Sequence, residues 1–178
     1  PQPMDSAQYQ RTIAARFTVF DQDGNGHISR EDFSAAAAAL LAEFGATARS
    51  EKGQALYYGA EALWQGLAGI ADRDGDQRIT RSEFAHSAVK RLRDSPERFA
   101  EIARPFVRAA VAVADGGEDR AAGRTQTVRM LTALGIEPDT ATAAVETLDG
   151  DEGRIGEDRL LKAVAAYFTT ADPDARDL

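Results

Sequence analysis

Two twelve-residue stretches, Asp21 to Asp32 and Asp72 to Glu83, limit what this chain can become more than any other feature. In each, oxygen-bearing side chains fall at the first, third, fifth, ninth and twelfth positions. Apolar residues recur at helical spacing ahead of both. Ile13, Phe17 and Phe20 stand at i, i+4 and i+7, and Leu56, Leu63, Leu67 and Ile70 mark one stripe. A phenylalanine, Phe33 or Phe84, follows each stretch directly. Oxygens at alternate positions of so short a segment turn toward one point, while the flanking periodicity demands helices. The repeated unit is therefore helix, loop, helix. Nothing in the chain alternates with the period of a strand over a useful length.

The first stretch matches the EF-hand calcium loop almost position by position. Asp21, Asp23 and Asn25 offer side-chain oxygens, Gly26 permits the sharp turn, His27 needs to offer only its carbonyl, and Ser29 acts through water. Ile28 at the eighth position is expected to pair with the partner loop across a short two-stranded contact. The twelfth position is Asp32, where an EF-hand has a glutamate that donates both oxygens. Aspartate is one methylene shorter, so a lower coordination number and competition from Mg2+ are expected at this loop.

The second stretch keeps Asp72, Asp74 and Asp76, the carbonyl of Arg78, Ile79, Thr80 and a terminal Glu83. Its departure is Gln77 in the place of the glycine. A side chain held at positive φ costs on the order of 1–2 kcal/mol. Binding at about 100 times the dissociation constant returns roughly 2.7 kcal/mol, so the site survives in weakened form. Two Ca2+ sites are expected.

Two further units recur, with loops starting near Asp115 and Asp149. The third has glycine at its third position, Arg120 at the sixth, Ala122 at the eighth and Gln126 at the twelfth. The fourth is one residue short ahead of Ile155, which puts Arg159 in the slot of the terminal glutamate. A cation there repels calcium. Both loops are expected to serve as scaffold, with Val111, Val145, Leu148 and Leu160 packing their helices. Helices are predicted at about 5–20, 30–44, 51–71, 81–93, 96–114, 125–134, 138–148 and 157–168. Gly45 and Gly135 close two of them, Ser95 caps Pro96, Pro138 starts another, and Pro105 is expected to bend the fifth.

Composition removes several function classes. The net charge is -8 with 21 basic against 29 acidic side chains, the wrong sign for gripping a phosphate backbone. Zero cysteines exclude disulfides and thiolate zinc sites, and His27 and His86 are too far apart in sequence to suggest a transition-metal centre. The longest apolar run, Ala35 to Ala42, is far below the roughly 20 residues of a membrane span. No secretory signal is legible in the first thirty residues, so a cytoplasmic location is expected. No nucleophile-and-base constellation suggests an enzyme. Lys90, Arg91, Arg93, Arg98, Arg104 and Arg108 are read as a solvated helix face, with a site for an acidic partner as the alternative, His86 as surface, and Trp64 with Tyr57 and Tyr58 as core or partly buried surface.

On the strength of the two intact loops, the loop spacing and the two degenerate loops, the chain resembles bacterial four-EF-hand proteins of the calerythrin or sarcoplasmic calcium-binding type, particularly small streptomycete calcium-binding proteins. The resemblance spans nearly the whole chain. It implies an all-α fold in which units one and two, and three and four, pair through short two-stranded contacts. The expected organisation is an N-terminal pair over 1–94 and a C-terminal pair over 95–178, packed as one globular unit and monomeric. Calcium buffering or storage is the expected role, because only Met4 and Met130 could supply the flexible groove of a sensor. The alternative is a calcium sensor that regulates a protein partner.

Overall fold

A computed structural model describes residues 6–72, 74–115, 121–148 and 153–169. The first unit is α1 (Ser6–Phe20), β1 (His27–Ile28) and α2 (Arg30–Phe44). The second is α3 (Glu51–Ala71), β2 (Ile79–Thr80), a short α4 (Arg81–Glu83), a π-helical turn (Phe84–Ala88) and α5 (Val89–Asp94). The third runs α6 (Pro96–Asp115), β3 (Ala121–Gly123) and α7 (Arg124–Ala133); the fourth runs α8 (Pro138–Leu148), β4 (Arg154–Gly156) and α9 (Glu157–Thr169). The all-α class and the paired loops stand as the sequence suggests. No helix among the described residues is long and apolar enough to cross a membrane.

Local steric rules account for most boundaries. Gly45 ends α2 at φ +65°, and the Ala46 N–H donates to Leu41 O at 2.9 Å, a left-handed closure that a Cβ would resist. Gly135 does the same after α7 at φ +98°. Ser50 Oγ accepts the Gly53 N–H at 3.0 Å and starts α3. One expectation fails here. The single helix over 81–93 is interrupted by the π-helical turn directly after Glu83. Ser95 stands at the N-cap position of α6 with Pro96 first in the helix, as expected; its carbonyl takes the Arg98 N–H, and its hydroxyl donates to Glu97 Oε1 at 3.2 Å. Helix α6 then runs through Pro105 without a break.

The halves are joined by a close crossing of α3 and α6. A Cβ on Gly59 would lie 2.6 Å from the Cα of Phe106, and one on Gly66 would lie 2.7 Å from Ile102 Cγ2. These two glycines, on one face of α3, let the backbones approach. Around the crossing, the aromatic residues that flank the first two loops form a cluster. Phe17 meets Phe84 edge-on at 5.7 Å between centroids, and Phe33 lies 5.8 Å from both Phe20 and Trp64. Each such pair is worth about 0.5–1.5 kcal/mol beyond its buried area. Phe99, Phe106, Met130, Leu160 and Leu161 continue the same core into the C-terminal half. Trp64 is buried, Tyr57 is half-buried and Tyr58 is exposed.

Candidate metal centre

Loop one starts where α1 stops. The Asp21 N–H makes the last helical bond, to Phe17 O at 2.9 Å. Gly24 and Gly26 then take φ +68° and +89° and turn the chain back. Side-chain oxygens lace the turn from within. The Gly26 N–H donates to Asp21 Oδ2 at 2.9 Å, the Asn25 N–H to Asp23 Oδ1 at 3.1 Å, and the His27 N–H to Asn25 Oδ1 at 3.0 Å. Asp32 closes the loop by accepting the Asp23 N–H on Oδ1 at 3.0 Å and the Ser29 N–H on Oδ2 at 2.8 Å. It is 1% exposed. Burial pushes its carboxyl up to about 6 against the lowering effect of those two bonds, and the charges of Asp23 and Asp21 act in the same upward direction.

Loop two follows the same plan after α3. Gln77, at φ +64°, is the one non-glycine residue with positive φ among the described residues, as its sixth position requires. Its N–H donates to Asp72 Oδ2 at 2.8 Å, matching Gly26 and Asp21. The Asp76 N–H donates to Asp74 Oδ1 at 3.2 Å, and the Arg78 N–H to Asp76 Oδ1 at 3.0 Å. Glu83 and Thr80 cap each other: Oε1 takes the Thr80 N–H and Thr80 Oγ1 takes the Glu83 N–H, both at 3.0 Å. Burial raises the Asp72 carboxyl above its ordinary value.

The two loops are fastened together by β1 and β2, antiparallel, with Ile28 opposite Ile79 and His27 opposite Thr80. Both isoleucines are fully buried. One carboxylate oxygen from each of Asp21, Asp23 and Asp32 lies within 4.8 Å of the others, and the same holds for Asp72, Asp74, Asp76 and Glu83. Asp21 Oδ1 and Asp72 Oδ1 are buried, and neither has a hydrogen-bond partner among the described residues. A buried acceptor left unmatched costs about 1–3 kcal/mol. Here two occur at the same position of two loops, on aspartates whose carboxylates belong to a cluster of hard oxygen donors. That donor set fits an oxygen-seeking divalent cation.

The C-terminal loops share the strand register but not the twelfth-position carboxylate. Residues 116–120 of the third loop and 149–152 of the fourth lie outside the described residues. Ala122 stands opposite Ile155 as Ile28 stands opposite Ile79. Counting from Ile155 puts Gly153, at φ +69°, in the sixth position, Leu148 in the first and Arg159 in the twelfth. Arg159 Nη1 donates to Leu148 O at 2.9 Å. The protein's own guanidinium thus ties together the two ends that a terminal carboxylate would join through an ion.

One ionic feature was not readable from the helix pattern. Arg104 and Arg108, assigned to a solvated face, instead clamp the first residue of α9. Arg104 Nη1 donates to Glu157 Oε2 at 2.6 Å and to Asp158 Oδ1 at 2.8 Å, and Arg108 Nε donates to Glu157 Oε1 at 3.0 Å. Burial alone would raise the Glu157 carboxyl; the bonds and charges of Arg108 and Arg104 together outweigh it and hold it low. The available signal was the i, i+4 spacing of the two arginines, which names a face but no partner. His86, Lys90, Arg91 and Arg98 are exposed, and the side chain of Arg93 lies outside the described residues.

No protein-family model matches the chain. A Streptomyces coelicolor calcium-binding protein of solved structure is 65% identical over 90% of this chain and 98% of its own, with a TM-score of 0.86; its structure is described as the basis for prokaryotic calcium-mediated regulation. Calerythrin from Saccharopolyspora erythraea is 28% identical over 166 residues, 92% of this chain and 94% of calerythrin. The photoprotein clytin, 18% identical, superposes with a TM-score of 0.72 over 96% of this chain and 92% of its own, a likeness of fold alone.

Proposed function

Because the chain belongs to the bacterial EF-hand calcium-binding proteins of the calerythrin type, we propose that it captures two calcium ions in its N-terminal loops and acts as a calcium buffer. Asp21, Asp23, Asn25, the His27 carbonyl, Ser29 through water and Asp32 hold one ion. Asp72, Asp74, Asp76, the Arg78 carbonyl, Thr80 and Glu83 hold the other. Residues 1–94 do the binding, and 95–178 form a scaffold packed against them. The observation that carries this reading is the pair of buried, unmatched oxygens, Asp21 Oδ1 and Asp72 Oδ1, each on an aspartate that belongs to its loop's carboxylate cluster. Buffering is favoured over target recognition by the surface. Met130 is buried, and among the described residues Tyr58 is the one large hydrophobic side chain that is exposed.

A second reading, a calcium-dependent regulator of a protein partner, is favoured by the description of the 65% identical Streptomyces coelicolor protein in terms of calcium-mediated regulation. Isothermal titration of metal-free protein with calcium, followed by a dye that fluoresces on apolar surface, separates the two. Two binding events with unchanged dye signal are expected. Two events with a several-fold dye increase would favour the regulator, and fewer than two would remove the two-site assignment.

A further inference from the structure

The second position of loop one is Gln22, set between Asp21 and Asp23, and no ligand role falls to it. Its backbone N–H donates to Phe20 O at 2.9 Å, while its side chain leaves the loop. Gln22 Nε2 donates to Val19 O at 2.6 Å in the last turn of α1 and to Leu134 O at 2.8 Å at the end of α7, 112 residues away. Both partners are carbonyl oxygens, so only the NH2 end of the amide suits them, and both of its hydrogens are spent. Leu134 O is one of the terminal carbonyls that α7 cannot satisfy from within. The Leu134, Gly135 and Ile136 N–H groups bond back to Met130, Thr132 and Leu131 carbonyls at 3.2, 3.0 and 3.1 Å, which fixes the place where Gln22 is anchored.

Helix α7 also holds the other helix of the first unit. Arg129 Nη2 donates to Glu43 O and Nε to Glu43 Oε2, both at 2.7 Å, and the guanidinium carbon lies 4.6 Å from the centroid of the Phe44 ring. One helix of the C-terminal half is thus fastened to the start of loop one and to the end of α2. We propose that Gln22 is a positioning residue: by tying the start of loop one to α7 it holds Asp21 and Asp23 in place before an ion arrives, so that the C-terminal half sets the calcium affinity of loop one. The proposal rests on the two-site calcium reading. Ordering met in folding is not charged again at binding, which is why a pre-set loop binds more tightly. A net hydrogen bond corresponds to about two- to tenfold in an equilibrium constant.

Calcium titration of the full chain in two backgrounds reads the loops one at a time: Asp72→Asn leaves loop one as the tight site, and Asp21→Asn leaves loop two. Gln22→Met keeps the side-chain length and removes both donors. It should weaken calcium about fivefold at loop one and leave loop two within about twofold. A bond that served the fold alone would lower stability to urea in chelator and move both loops alike or neither. Should Gln22→Met fail to fold, Gln22→Asn, one methylene too short to span the gap, takes its place. Arg129→Met loosens α7 from α2 without touching the loop, and should weaken loop one by about twofold. Undiminished loop-one affinity without the Gln22 donors, or equal weakening of both loops, would overturn the positioning role and leave the two-site reading intact. No change at loop one in Arg129→Met would overturn the part given to α7. Absence of tight binding by Asp72→Asn with Gln22 in place would instead remove loop one as a calcium site, and the proposal with it.

Discussion

The N-terminal and C-terminal loop pairs share an antiparallel strand contact centred on their eighth positions, and they differ in what draws each loop closed. In the first pair, carboxylates at the twelfth position, Asp32 and Glu83, turn back onto the Ser29 and Thr80 N–H groups, leaving buried oxygens at Asp21 and Asp72. In the second pair, Gln126 stands in one twelfth position and Arg159 in the other, its guanidinium bound to the Leu148 carbonyl. The same turn can thus be closed around acidic oxygens or by a resident cation. The helix and strand framework therefore does not depend on a carboxylate at the twelfth position.

The strongest way to break this contrast is to neutralise the first position of both N-terminal loops. Asp21→Asn with Asp72→Asn removes a charged ligand from each site, and calcium affinity should fall by about 100-fold or more at both. Calorimetry of the double variant should then show no tight calcium binding. A surviving tight event would place an ion in the C-terminal pair.

The next test acts on the other half. Glu157→Gln breaks the clamp of Arg104 and Arg108 and should cost about 1–2 kcal/mol, a buried charged bond discounted for the partial exposure of both arginines. Because the Glu157 carboxyl is held below its ordinary value of 4.5, its contribution is present above that pH and is lost as pH falls through the folded value. Urea unfolding of wild type and variant should therefore differ at pH 7 and converge under acid. Calcium stoichiometry should be untouched. A drop in the number of ions bound would show that the C-terminal clamp supports the N-terminal sites.

Within the N-terminal pair, Asp32→Glu should raise the preference of loop one for calcium over magnesium by about tenfold, since the longer carboxylate can reach with both oxygens. Competition titrations read this directly. An unchanged ratio would mean that Asp32, already bonded through both oxygens to the backbone, is not what limits the site.

These expectations come from residues that differ in how legible they were. The ligands of each loop fall within twelve residues of one another, so their convergence is local geometry, and the register of Ile28 with Ile79 follows from their shared position. Gly45, Gly135 and Pro138 announced their boundaries through steric rules that need no partner. The π-helical turn at Phe84 had no such marker. The Arg104 bond to Glu157 spans 53 residues, and the Gln22 bond to Leu134 spans 112. Each depends on how whole helices are placed, which hydrophobic periodicity does not encode.

The smallest effect expected is at Gln77, and it bears on whether loop two owes its shape to the ion. Gln77 sits at φ +64° where loop one has Gly26 at φ +89°. Glycine relieves about 1–2 kcal/mol of left-handed strain and returns about 0.5–1 kcal/mol to chain entropy, leaving a net gain of about 0.5–1 kcal/mol. The Gln77 N–H bond to Asp72 and the β1–β2 contact both act without an ion. If they suffice to hold the loop, Gln77→Gly raises stability in the presence of chelator and leaves calcium affinity within about twofold. A fivefold gain in affinity at unchanged chelator stability would instead mean that the loop takes this conformation only when calcium arrives.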